Sequence, residues 1–141
     1  MKHLKPIVRF HLLEDFKLTN RKELKNRIIK LFESENKIFN SIDYIFCSDN
    51  YLLNINELYL NHNTFTDIIT FDLSKNLHSI TGEIYISIER VKENSAHFKV
   101  PFYQELNRVM FHGALHLCGY KDKGMKDKKA MRRKEDFYLK S

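Results

Sequence analysis

The stretch VMFHGALHLCGYKD, residues 109–122, places two histidines inside an otherwise apolar run. A helix that is apolar on every side is buried, so this stretch predicts a central helix of the fold. His112 and His116 are four residues apart, and on a helix both imidazoles therefore leave the same side and can converge on one ion. Gly119 can adopt the left-handed backbone conformation that ends a helix and turns the chain back. Asp122 is then placed to supply a third ligand.

Two interpretations of this stretch compete. In one, each histidine is a core residue whose imidazole is hydrogen-bonded to a backbone carbonyl. In the other, His112, His116 and Asp122 hold a metal ion and leave a fourth position open, as in catalytic zinc sites. The combination of spacing, buried helix, helix-ending glycine and carboxylate favours the metal site, although the HxxxH pattern by itself is weak.

The residue after the first histidine narrows the chemistry of such a site. HExxH metalloproteases have a glutamate there as the general base, whereas this chain has Gly113, so peptide hydrolysis by that route is disfavoured. Two histidines and one carboxylate also occur in non-haem iron oxygenases, which remain a minor alternative.

Length and composition favour a single soluble domain over residues 1–141. Hydrophobic residues make up 43% and charged residues 30% of the chain, and only 4 Gly and 2 Pro leave little room for disordered linkers. Charges at residues 9, 14 and 15 interrupt the N-terminal apolar run, so we expect no secretory leader, no membrane span and a cytoplasmic location. In a reducing compartment Cys47 and Cys118 are expected to be small buried residues and not a disulfide.

The net charge of +6 is concentrated beside the histidine stretch. Residues 121–134 contain eight basic and two acidic residues, which accounts for the whole net charge. This distribution indicates a polyanionic partner, while a solvated lysine-rich helix face is the equally weighted alternative.

The periodicity of apolar residues predicts an α+β fold, with a small mixed sheet of about four strands covered by about five helices, one of which carries the metal site. The predicted strands are residues 4–12, 41–49, 66–74 and 82–89. The predicted helices are residues 21–35, 49–58, 88–97, 103–118 and 125–139.

FHGALHLCGYKD, residues 111–122, resembles the signature H-G-x-L-H-L-x-G-Y-D-H of the YbeY-type endoribonucleases, the ribosomal-RNA maturation factors. TDIITFD from Thr66 is similar to the family's T-D-V-L-S-F strand, and GEIYIS from Gly82 to its G-D-I-x-I strand. Met131 and Glu135 match the M-x-x-x-E of its last helix. The resemblance covers roughly residues 40–139, and the ordered set is far more specific than any one motif.

This resemblance implies a small αβ fold with a metal-bearing helix, one Zn²⁺ per chain and single-strand-specific hydrolysis of RNA. It further implies a role in small-subunit ribosomal-RNA maturation and ribosome quality control, with ribosomal RNA and ribosome-associated proteins as partners and no membrane. The oligomeric state is not predicted.

The chain departs from the family pattern at two positions. Asp122 stands where the family has its third histidine, and this carboxylate lowers the formal charge of a Zn²⁺ centre from +2 to +1, which leaves a weaker Lewis acid and admits other divalent ions. Leu60 falls where the family has an arginine that would neutralise charge on a phosphodiester. Arg108, one turn before His112, or Lys121 could substitute.

The predicted site follows from these matches. The metal ligands are His112, His116 and Asp122, which carry catalysis together with Arg108. The substrate contacts are Lys121, Lys123 and Tyr120, the last as a stacking surface for a base.

Asp67 and Glu83 are candidates for a general base or for residues that support the metal ligands. Each has a plainer interpretation, as a strand-end acid satisfied by backbone amides. Tyr120 can equally be a packing residue.

A second class of function stays open, namely an RNA- or ribosome-binding assembly factor with a structural metal and little or no cleavage, which Leu60 favours. A third is an interaction protein without a metal.

Overall fold

Helices and strands alternate along the chain in the computed structural model, which describes residues 5–141. In order they are β1 (Ile7–Leu12), α1 (Arg21–Ser34), β2 (Phe39–Cys47), α2 (Asp49–Leu60), β3 (Ile68–Asp72), β4 (Ile80–Ser87), α3 (Ile88–Phe98), α4 (Phe102–Leu117) and α5 (Met125–Lys140).

The four strands form one mixed sheet in the order β1-β2-β4-β3. β1 pairs with β2 and β2 with β4 in parallel, while β3 lies antiparallel to β4 at the edge. Parallel neighbours need a crossover connection, which α1 provides between β1 and β2. The predicted α+β class, with four strands and five helices, is confirmed for residues 5–141.

The two faces of the sheet are covered unequally. The larger core joins side chains of α1, α3, α4 and α5 to one face, through strand residues such as Ile42, Ile84 and Ile86. On the opposite face, Leu52 and Ile55 of α2 pack against a smaller cluster that includes Ile69. Helix α4, which carries His112 and His116, therefore lies on the side of the sheet that has the larger core.

Helix α4 is held against the sheet by close packing at Gly113. A Cβ added there would lie 2.8 Å from Cγ2 of Ile84 and 3.0 Å from Cδ1 of Ile68, so the helix approaches the strands to a distance that only glycine permits. The hydroxyl of the fully buried Tyr44 donates to the carbonyl of Met110 at 2.8 Å. The depth of α4 in the core is fixed by these contacts.

The predicted element boundaries differ from the observed ones by a few residues. β2 begins at Phe39, two residues earlier than predicted, because Phe39 pairs with Ile80 of β4. Helix α2 begins after Ser48, whose hydroxyl accepts from the Tyr51 amide at 3.1 Å, and it continues to Leu60 instead of Leu58. The start of the predicted first strand, at Leu4, lies outside the described residues.

Both cysteines are buried free thiols, as expected from the sequence. Burial raises the pKa of Cys47 and of Cys118 to about 12. Within residues 5–141, none of the helices has both the length and the apolar character that crossing a membrane requires.

We predict that Gly113→Val lowers the free energy of unfolding by about 2–3 kcal/mol, because the added side chain overpacks the contact between α4 and the sheet. Urea denaturation measures this change. Gly124→Val is the matched control, since no atom lies within 4 Å of a Cβ added at Gly124; its effect should stay below about 1 kcal/mol. Equal stability of the two variants would contradict the close approach at Gly113.

Candidate metal centre

The three predicted metal ligands come together beside the C-terminal half of α4. Oδ2 of Asp122 lies 3.2 Å from Nε2 of His112 and 3.3 Å from Nε2 of His116. Within the part of the chain that the structure describes, these three residues are the one group of three or more potential ligands whose donor atoms all lie within 4.8 Å of one another. Local spacing on the helix thus produces the predicted cluster.

A tight helix ending brings Asp122 back to the histidines. Gly119 has φ of 109°, in the left-handed region that glycine adopts without strain. The Gly119 amide donates to the carbonyl of His116 at 3.0 Å, and the Tyr120 amide donates to that of Leu115 at 3.1 Å. These two bonds form a Schellman motif, which ends α4 as predicted and reverses the chain.

The Nδ1 atoms of both histidines are held by partners on their outer side. Nδ1 of His112 lies 2.6 Å from Oε2 of Glu135, and Nδ1 of His116 lies 2.9 Å from the carbonyl oxygen of Tyr120. A carbonyl oxygen can only accept, so Nδ1 of His116 carries the hydrogen. In the neutral ring Nε2 then has the free lone pair, which is the usual arrangement of a metal-ligating histidine.

The residues present fit a divalent cation. Two Nε2 lone pairs that face one carboxylate oxygen are repelled by that oxygen unless a positive charge lies between them. The Nε2–Oδ2 distances of 3.2 Å for His112 and 3.3 Å for His116 match the roughly 3.3 Å between neighbouring ligand atoms of a tetrahedral ion with bonds of about 2.0–2.1 Å. One neutral imidazole pair and one carboxylate is also an accepted ligand set for a catalytic site with an open position.

Charge around His112 is balanced by carboxylates. Burial lowers the pKa of His112, but the hydrogen bond and charge of Glu135, with Asp122 and Asp67, outweigh burial and raise the pKa overall. Burial raises the pKa of Glu135, but the bonds to His112 and Arg108 outweigh it and hold the pKa below its usual value. Glu135 is therefore an anion in a buried position.

Glu135 contacts His112 in the structure, although the sequence analysis assigned it no role. It stands on the buried stripe of α5 with Met131 and Tyr138, at intervals of four and three residues. A carboxylate among apolar residues at helical spacing was the available signal, because buried acids are rare unless they are paired. Its partner lies 23 residues away on another helix.

Similarity to known proteins identifies the family of this chain. A family model described as Endoribonuclease YbeY matches residues 12–141. The chain belongs to the endoribonuclease YbeY family. Relatives named endoribonuclease YbeY include one from Flavobacterium psychrophilum, 53% identical over 134 residues, with 95% of each chain covered. Another, from Christiangramia forsetii, is 47% identical and covers 92% of this chain and 90% of the relative.

A solution structure of a Thermotoga maritima protein has the same fold, with a TM-score of 0.64 and 26% identity. The match covers 95% of this chain and 87% of that one. The resemblance drawn from residues 40–139 is thus confirmed, and with it the expectation of an enzyme of the endoribonuclease class.

At Leu60, where the chain departs from the YbeY pattern, the structure places an apolar side chain in the groove. Leu60, at the end of α2, is 44% exposed and lines the same groove as the three predicted metal ligands. Arg108 also lines the groove, but its guanidinium bonds Glu135 at 3.1 Å and Asp136 at 2.8 Å. The charge of Arg108 is therefore shared with two carboxylates.

The other predicted residues are distributed around the YbeY site. Asp67 lines the groove and accepts from Asn94 Nδ2 at 3.5 Å, and burial raises its pKa against the lowering effect of His112. Glu83 lies on the opposite face of the sheet, where it accepts from the Tyr85 hydroxyl at 3.1 Å. Alternation of side chains along β4 separates Glu83 from the histidines, because Ile84 is the residue that faces α4.

The three predicted substrate contacts also differ in position. Lys123 lines the groove, and Lys121 is exposed in the neighbouring loop. The hydroxyl of Tyr120 donates to Oε1 of Glu35 at 2.7 Å, and its ring packs against the main core.

The groove has two chemically different walls and a volume of about 900 Å³. Basic side chains of the 118–124 loop and α5 form one wall: Lys123, Lys128 and Arg132. A second part of the lining, the apolar wall, includes two exposed apolar side chains, Leu60 and Phe98, together with His62 and Thr64. The three predicted metal ligands line the same groove.

We predict that Glu135→Gln weakens metal binding by about tenfold, because the neutral amide no longer orients His112 or raises its basicity as the carboxylate does. Competition with a chromophoric chelator for Zn²⁺ measures the affinity. Asp136→Asn is the control, since Asp136 bonds the same arginine without touching a histidine. Unchanged affinity in Glu135→Gln would argue against a supporting role for this carboxylate.

Proposed function

We propose that this protein is a metal-dependent endoribonuclease that cleaves single-stranded RNA. The observation that carries the proposal is the pair of imidazoles whose Nδ1 atoms are held by Glu135 and by the Tyr120 carbonyl, while both Nε2 atoms face Asp122 in an open groove. The names of its YbeY relatives support the same activity.

His112, His116 and Asp122 would hold the cation, for which we propose Zn²⁺ or another divalent ion. Such an ion supplies Lewis acidity toward a phosphate oxygen and lowers the pKa of a water molecule. The outer partners Glu135 and Tyr120 keep the two imidazoles in the tautomer that this ligand set needs.

Binding of the RNA backbone falls to the basic wall. Lys123, Lys128 and Arg132 face the groove, and Lys121 extends the positive charge along the neighbouring loop. Lysine and arginine neutralise phosphates and thereby provide most of the affinity for a nucleic acid. Because Arg108 is paired with two carboxylates, its role in this proposal is to hold Glu135 as much as to contact a phosphate.

Preference for a single strand follows from the apolar wall. Leu60 and Phe98 expose apolar surface to the groove, and an unpaired base can pack on such surface. A duplex keeps its bases stacked and paired, and so cannot offer them to this wall.

Asp67, which lines the groove and whose pKa is raised by burial, is the proposed proton-transfer residue.

The biological setting is proposed from the YbeY resemblance. We infer that the whole of residues 1–141 acts as one endoribonuclease domain in small-subunit ribosomal-RNA maturation and ribosome quality control. Ribosomal RNA and ribosome-associated proteins are the inferred partners, without a membrane. Two buried free thiols fit a cytoplasmic location.

A second candidate function is an RNA- or ribosome-binding assembly factor whose metal is structural. It is favoured by the groove wall itself, where Leu60 is apolar and the guanidinium of Arg108 is neutralised by Glu135 and Asp136. In such a factor the basic wall would bind RNA without cleaving it.

Asp122→Ala separates the two functions. For the endoribonuclease we expect metal-dependent cleavage of single-stranded RNA to fall by at least about 100-fold while RNA binding persists. Gel analysis of cleavage products and fluorescence anisotropy of RNA binding measure the two effects. Asp127→Ala removes the same charge outside the ligand cluster, and should retain cleavage. RNA binding without products in native protein, with loss of stability in Asp122→Ala, would support the assembly factor.

The basic wall is tested by Lys128→Ala combined with Arg132→Ala. Loss of two phosphate contacts should weaken binding of a single-stranded RNA and reduce the slope of log affinity against log salt by about 1.4. A salt titration followed by fluorescence anisotropy measures this slope. The control is Lys22→Ala combined with Lys30→Ala, which removes the same charge from the exposed side of α1. Equal slopes in the two double variants would place the RNA elsewhere.

A further inference from the structure

Glu35, at the end of α1, gathers three donors from distant parts of the chain. Its Oε1 accepts from the Tyr120 hydroxyl at 2.7 Å, and its Oε2 accepts from Lys134 Nζ at 3.2 Å and from the Tyr138 hydroxyl. The Glu35 side chain is only 9% exposed. This carboxylate therefore joins α1 to α5 and to the loop that carries Asp122.

Tyr120 is bonded at both of its ends. Its ring hydroxyl donates to Glu35, and its backbone carbonyl accepts from Nδ1 of His116 at 2.9 Å. The ammonium of Lys134 lies 5.9 Å from the ring centroid, over the ring. The hydroxyl and the carbonyl of Tyr120 thus connect Glu35 to Nδ1 of His116, the atom whose hydrogen defines the tautomer of that imidazole.

We propose that Glu35 is a positioning residue of the metal site. By holding the Tyr120 ring it keeps the Tyr120 carbonyl against His116, so that Nδ1 of His116 bears the hydrogen and Nε2 is free toward Asp122. This inference rests on the metal site of the proposed function, but it does not depend on the cleavage of RNA.

The loop between α4 and α5 is open around both of its glycines. Gly119 and Gly124 flank its exposed part, and nothing lies within 4 Å of a Cβ added at either glycine. When the carbonyl of Tyr120 moves away, the imidazole of His116 can exchange between tautomers, and only one of them offers Nε2. The affinity for a metal falls in proportion to the fraction of molecules in the competent form.

A purely structural role for the same network makes a different prediction. If Glu35 only ties α1 to α5, the hydroxyls of Tyr120 and Tyr138 are equivalent, because each donates to the same carboxylate. If Glu35 positions the metal site, they are not equivalent, because Tyr120 itself carries the carbonyl that bonds His116, whereas the Tyr138 hydroxyl bonds only the carboxylate of Glu35. Tyr120→Phe and Tyr138→Phe are therefore a matched pair.

The experiment compares native protein, Tyr120→Phe, Tyr138→Phe and Glu35→Gln. Zn²⁺ affinity is measured by competition with a chromophoric chelator, and the tautomer of His116 by long-range ¹H–¹⁵N NMR on metal-free protein. Circular dichroism and urea denaturation establish that each variant is folded.

The expected result is about tenfold weaker Zn²⁺ binding in Tyr120→Phe and in Glu35→Gln, with a mixture of His116 tautomers in both. Tyr138→Phe should lose about as much stability to urea as Tyr120→Phe does, while its Zn²⁺ affinity stays within about twofold of native.

Native Zn²⁺ affinity and an unchanged His116 tautomer in Tyr120→Phe would overturn the inference while leaving the metal site intact. Equal weakening in the two phenylalanine variants would overturn it as well, because it would reduce the network to a structural tie. Native protein that binds no Zn²⁺ would overturn both the inference and the metal site of the proposed function.

Discussion

Burial of α4 is the constraint on which the rest of the structure depends. The helix lies so close to β3 and β4 that a Cβ at position 113 would collide with Ile84 and Ile68, and nine of its sixteen residues are buried. A polar side chain on such a helix must find a partner, since an unsatisfied buried polar group costs about 1–3 kcal/mol. The two histidines meet this demand with Glu135 and the Tyr120 carbonyl, and the same bonds leave their Nε2 atoms turned to Asp122.

The charges of the site are arranged in layers. Closest to the imidazoles are carboxylates, with Asp122 beside both Nε2 atoms and Glu135 at Nδ1 of His112, while Asp67 lines the groove. Arg108 pairs with Glu135, and further positive charges lie on the 118–124 loop and α5, where Arg132 also lies 3.5 Å from Oε1 of Glu135. This order suits a cation at the centre and a polyanion at the rim, because opposite charges attract at each boundary. A carboxylate in place of the family's third histidine makes the ligand set more anionic, so it favours tight binding of the ion over strong Lewis acidity.

Support for the site reaches well beyond its ligands. Glu135 comes from α5, and Tyr120 is in turn bonded to Glu35 at the end of α1. The three predicted ligands themselves lie within residues 112–122, in the last two turns of α4 and the loop that follows. The local chain brings His112, His116 and Asp122 together, and residues of α1 and α5 then fix their positions through hydrogen bonds.

The sequence by itself determined the parts of this protein that depend on neighbouring residues. The spacing of His112 and His116, the helix end at Gly119 and the return to Asp122 lie within eleven residues, so helix geometry and one left-handed turn were enough to predict them. Alternating apolar patterns likewise predicted four strands and five helices, with errors of a few residues at the ends.

Only the tertiary structure decided which distant groups meet. Glu135 and Glu35 reach the site across 23 and 85 residues of sequence, from the His112 and Tyr120 that they bond. The pairing of β3 with β4 placed Asp67 at the groove, and alternation along β4 put Glu83 on the other face, although the two acids had looked equivalent. The pairing of Arg108 with two carboxylates had no local signal either. These contacts join residues of different helices and strands, and they form only when the helices pack against the sheet. The periodicity of apolar residues within one helix or strand does not show which other element lies beside it.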